Sequence, residues 1–195
     1  MRKTTSDLLK RITDKTLNHQ KSYFKEDGKL LGVSMATVSK IGKRVFKEKE
    51  PEGKEKIFGV CEIFWQSEYI EEQIVACNLS YYVHKRYQAN DFEVFAQWLS
   101  NYVSNWATCD TLCNHAVGTF VEMYPDYVLE LKKWAKSANR WVKRGAAVTL
   151  IIPARKGLFL NDIFEIADTL LLGTDDLVQK GYGWMLKAAS EAHQK

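Results

Sequence analysis

Apolar residues recur at three- and four-residue intervals along almost the whole of this chain, and each run is broken after roughly ten to sixteen residues by a cap, a glycine or a proline. That rhythm restricts the fold to a succession of short helices. Ser6 is placed to cap a first helix through Leu17, with Leu8, Leu9, Ile12 and Leu17 on one stripe. After the Asp27-Gly28 turn, Ser34 caps a helix carrying Met35, Val38, Ile41 and Val45, closed by Pro51 and Gly53. A third element runs from Lys54 to Trp65 and a fourth from Glu68 to Tyr82. In the second half, Asp91 is placed to cap a helix bearing Phe92, Phe95, Leu99 and Tyr102. Trp106 to Asp110 opens another that continues through Val117, Phe120 and Met123, and Tyr124-Pro125-Asp126 breaks it. Tyr127 to Lys136 follows, then Asn139 to Ile152, ended by Pro153 and the Lys156-Gly157 turn. Ile163, Ile166, Ala167 and Leu170 mark the next helix, and Thr174 or Asp175 caps the last. Val148 to Ile152 is β-branched enough for a strand to be the rival reading there.

Helix pairs spaced about 35 to 40 residues apart are the signature of an α-solenoid of HEAT or armadillo type. The expected fold is therefore all-α: an α-α superhelix over 1–195 as a single domain, with a concave groove suited to a rod-like polyanion. A compact helical bundle is the alternative, and it would close the same stripes into one core. With 195 residues, 46% of them hydrophobic, the chain can bury a substantial core. No apolar run approaches the roughly 18 residues that span a bilayer, and the N-terminus leads into an amphipathic stretch, so a cytoplasmic protein without a membrane partner is expected. Cys61, Cys77, Cys109 and Cys113 lie in apolar surroundings without a CxxC pair, which suits reduced, buried thiols. Cys109, Cys113 and His115 lack a fourth ligand at metal-site spacing, so no metal is expected.

Three features point towards chemistry. Trp106 and Asp110 stand four residues apart, which on a helix places an aromatic and a carboxylate on one side. From Leu131 to Asn161 there is no Asp or Glu, while Lys132, Lys133, Lys136, Arg140, Lys143, Arg144, Arg155 and Lys156 fall inside. Such a run is either a solvated face or a phosphate-facing one. Near the end, Gly181 and Gly183 flank Tyr182 just before Trp184, and each helical glycine costs about 1 kcal/mol relative to alanine, so close approach of backbone or ligand is implied. Each feature also has an ordinary explanation: a tryptophan is more often core, Asp110 is a plausible helix cap, and an arginine on a packed helix commonly pairs with a carboxylate.

Taken together, Ser104-Asn105-Trp106-Ala107-Thr108-Cys109-Asp110, Asn139-Arg140-Trp141-Val142-Lys143-Arg144, Ala154-Arg155-Lys156-Gly157 and Asp176 to Lys187 resemble the AlkD-type DNA alkylation repair family, with weaker matches at Tyr23-Phe24-Lys25 and Leu31-Gly32-Val33. The resemblance covers nearly the whole chain. It implies a HEAT-like repeat DNA glycosylase that removes cationic N3- and N7-alkylated purines from duplex DNA. It also implies that the lesion is recognised without being flipped into a pocket. Carried onto this sequence, the family's catalytic aspartate falls on Asp110, its cleft tryptophans on Trp106 and Trp184, its DNA-contacting arginine on Arg144, and its edge aromatic on Tyr23. Lys143, Arg140 and Lys156 join the expected DNA-binding set. The implied partner is double-stranded DNA containing alkylated bases, bound by a monomer that needs no cofactor. The rival from another class is a non-catalytic solenoid that binds DNA or protein as a scaffold.

Overall fold

The computed structural model of the protein describes residues 29–193. The expected first helix, Ser6 to Leu17, and Tyr23 lie outside the described residues. Within them the chain is all-α as expected, and the only strand-like pairing is an isolated bridge between Lys29 and Tyr69. The chain divides into two compact units, Met1–Tyr87 and Gln88–Lys195.

In the first unit, α1 (Met35–Lys49) begins as expected at Ser34, whose hydroxyl accepts the Thr37 amide at 3.3 Å. Val38, Ile41, Gly42 and Val45 form its buried stripe; Met35 stays outside it. Helix α2 (Lys54–Trp65) and α1 both pack on α3 (Ile70–Tyr82). Covered on two sides, α3 is buried at every position from Ile70 to Cys77, two glutamates included. Burying a carboxylate requires compensation. Glu71 receives it from three successive backbone amides, Leu31, Gly32 and Val33, at 2.8–3.2 Å. Gly32 supplies the left-handed φ of 78° that helps turn those amides to one point.

The second unit contains α4 (Asp91–Asn101), α5 (Trp106–Thr111), a π-helical turn (Leu112–Val117), α6 (Gly118–Met123), α7 (Val128–Trp134), α8 (Arg140–Val148), α9 (Ile151–Arg155), α10 (Leu160–Leu171) and α11 (Asp176–Ala192). Its core is aromatic at one end: Phe92 stacks on Trp134 at 5.1 Å, and Phe120 meets Phe95 and Tyr127 edge-on at 5.9 and 5.0 Å. Helix α8 is the axis of the unit, packed by α4, α5, α7, α10 and α11 and buried at seven of its nine positions. Two glycines permit this crowding. A Cβ on Gly145 would stand 2.7 Å from a Leu99 methyl, and one on Gly118 would stand 2.8 Å from the Thr149 carbonyl oxygen.

Three local expectations are corrected. The helix expected from Asn139 to Ile152 turns at Thr149-Leu150, and Pro153 lies inside the new α9. Proline is tolerated in a first helical turn because the N–H it lacks would have had no intrahelical partner. The same turn excludes a strand at Val148–Ile152. Asp91 does not cap α4 but begins it, its carboxylate accepting the Gln88 amide at 2.7 Å.

Candidate active site

Helix α5 starts at Asn105, whose side-chain oxygen accepts the Thr108 amide at 3.0 Å. The cap is thus Asn105, which frees Asp110 from that role and leaves it projecting from the helix one turn beyond Trp106. Past Thr111 the backbone widens into the π-helical turn, a local insertion of the kind that frequently marks functional sites.

What meets Asp110 is Arg144 of α8. Its Nε and Nη2 donate to the two carboxylate oxygens, each at 2.7 Å, as a bidentate fork, while Nη1 donates to the Leu177 carbonyl oxygen of α11. Three elements separated by more than thirty residues therefore converge on one guanidinium. Arg144 is 6% exposed and the Asp110 side chain 14% exposed, so the pair is largely withdrawn from water. Burial pushes the Asp110 carboxyl above the usual carboxylate range, and the neighbouring guanidinium offsets this only in part. A carboxylate offers about four lone-pair sites. The fork takes two and leaves the remainder at the exposed edge for a ligand or a water molecule.

Helix α11 completes the surroundings. Asp175 caps it, accepting the Leu177 and Val178 amides at 3.0 and 3.2 Å. Leu177, Gly181 and Trp184 follow one another at four and three residues, so they share the face that meets Arg144. A Cβ on Gly181 would lie 3.4 Å from Arg144 Cγ and 3.5 Å from Nη1, so the glycine lets α11 close on the guanidinium. Gly183 has nothing within 4 Å of the equivalent position, and Trp184 beside it is 36% exposed. Trp184 is therefore not a core residue.

The structure shows which residues of the expected basic surface are paired within the protein. Arg144, expected to hold a phosphate, is committed to Asp110 and Leu177. Arg140 bonds the Asp175 carboxylate at 2.8 and 2.9 Å and lies over the Trp141 ring. Lys156 pairs with Glu122 at 2.6 Å, Lys132 with Asp162 and Glu165, Lys133 with Glu130, and Arg155 with Glu191. Of the eight cations in the acid-free stretch, only Lys136 and Lys143 have no carboxylate partner among the described residues. Tyr23 lies outside those residues. Cys109 and Cys113 are free and buried, Cys109 Sγ donating to the Trp141 carbonyl at 3.5 Å.

Residues 4–195 match a family model described as DNA alkylation repair enzyme. Among solved structures, the chain is similar to a predicted DNA alkylation repair enzyme from Enterococcus faecalis, with a TM-score of 0.80 and 19% identity over 91% of this chain and 82% of that one. At that identity the likeness shows a shared all-α fold. No curated protein sequence matches significantly.

Proposed function

The chain belongs to the DNA alkylation repair enzyme family, and on that premise we propose that it is a DNA glycosylase releasing cationic N3- and N7-alkylated purines from duplex DNA. The observation carrying this reading is Asp110, a partly exposed carboxylate fixed by Arg144 and set on the same helix face as Trp106, with the partly exposed Trp184 on the α11 face that meets Arg144.

An alkylated purine already bears the positive charge that makes it a good leaving group. The C1′–N bond breaks with both electrons passing to the base, which departs neutral and leaves an oxocarbenium-like sugar. Asp110 faces that developing charge and orients a water molecule, whose oxygen bonds to C1′ as its proton passes to the carboxylate or to solvent. Arg144 positions Asp110. The tryptophan faces attract the cationic nucleotide by about 0.5 to 2 kcal/mol each. Lysine ammonium groups hold backbone phosphates, which makes binding salt-dependent. The groove of a superhelical helical-repeat fold accommodates the duplex, and the lesion is read without being extruded into a pocket. The protein acts as a monomer.

The test is incubation with duplex DNA carrying 7-methylguanine. Base release well above the spontaneous rate is expected from the wild type, falling by about a hundredfold or more in Asp110→Asn, while affinity for the duplex is nearly retained. Release at the spontaneous rate by the folded wild type would leave a non-catalytic DNA-binding solenoid as the better reading.

A further inference from the structure

In the protein alone Arg144 is bonded to Asp110 and the Leu177 carbonyl, so cations without such partners are the ones already available to the DNA backbone. We propose that Lys136 and Lys143 are those cations, forming a seat for the phosphodiester backbone in the cleft between the α7–α8 turn and the α10–α11 turn; this rests on the repair reading above. The cleft has a volume of about 570 Å³, and its walls include Lys136, Lys143, Gly173, Thr174 and Asp175.

Charge selects the occupant. The other six cations of the acid-free stretch bond carboxylates or, for Arg144, a carboxylate and a carbonyl. Lys136 and Lys143 both line the cleft, with no such partner among the described residues. The one carboxylate lining it, Asp175, is held by Arg140 and by the amides it caps, so its charge is already balanced. Two lysines without a carboxylate partner, lining one cleft with Thr174, bind an anion. The lining contains no aromatic ring, so nothing there stacks a nucleobase, and the ligand is the sugar–phosphate backbone.

The experiment measures binding of the full-length protein to undamaged duplex DNA by fluorescence anisotropy across a salt series, comparing wild type with Lys136→Gln/Lys143→Gln. The slope of log K against log salt is expected to become shallower by about 2, since each lysine removed from a phosphate lowers it by about 1. Lys132→Gln, whose ammonium is paired with Asp162 and Glu165, is expected to keep the wild-type slope. Both variants are checked for an unchanged thermal melt. An unchanged slope in the double variant of an active protein overturns the inference alone. Saturable uptake of inorganic phosphate, abolished in the double variant while the DNA slope stays put, overturns it in favour of a free-phosphate site. A folded wild type that neither binds duplex nor releases 7-methylguanine overturns the repair reading and this inference with it.

Discussion

At the scale of single residues, the Asp110–Arg144 pair decides most of what is testable. A buried, bidentate ion pair is strongly coupled, and removing one member strands the other charge. Asp110→Ala and Arg144→Ala are each expected to cost about 3 to 5 kcal/mol of stability, and the double variant less than the sum, as read by a denaturant double-mutant cycle. Asp110→Asn keeps one acceptor oxygen for the fork but leaves the Arg144 charge unpaired, so its loss of activity is read together with its thermal melt. The raised carboxyl of Asp110 has a kinetic counterpart. On the proposed mechanism its ionised form is the active one, and protonation sets in as pH falls through a value above the ordinary carboxylate pKa of about 3.9. The single-turnover excision rate should therefore fall on an acid limb displaced upwards from that value, and a rate flat down to pH 4 would contradict it. The identity of Asp110 and Trp106 as neighbours was legible from four-residue spacing. The partner of Asp110 was not, because 34 residues separate it from Arg144 and no local periodicity reports a contact between helices.

At the scale of elements, the two kinds of helical glycine in the second unit make opposite predictions. Gly118 faces the backbone of Thr149, so Gly118→Ala must push two helices apart and is expected to cost about 1 to 3 kcal/mol. Gly183 faces open space, so Gly183→Ala is expected to stabilise α11 by up to about 1 kcal/mol, visible as a higher Tm. Equal shifts in one direction would show that the glycines are not distinguished by packing. Helix positions were readable wherever an apolar stripe met a side-chain cap, as at Ser34 and Asp175. They were misread where polar residues compete for one role. Asn90 takes the position expected of Asp91, and Pro153 was taken as a stop although the first turn of a new helix tolerates it.

At the scale of the molecule, every described contributor to the candidate site, from Trp106 to Trp184, belongs to the second compact unit, which also has its own core around Phe95, Leu99, Phe120 and Leu150. A fragment spanning 88–195 is therefore expected to fold cooperatively, with helical circular dichroism and a single melting transition. A non-cooperative melt would show that the first unit is needed to hold it. The all-α class followed from periodicity and the family from four separated motifs, whereas the basic stretch left two readings open because composition counts charges without showing which are already paired. The burial of the four cysteines, each at most 1% exposed, has a consequence for a protein that works where alkylating agents have been at work. The thiolate is the nucleophile that such agents consume, and burial raises the pKa of Cys61 and Cys109 and denies all four an approach path. Titration with a thiol reagent should find none reactive in the native protein and all four once it is unfolded, so the enzyme is itself a poor target for the electrophiles whose damage it answers.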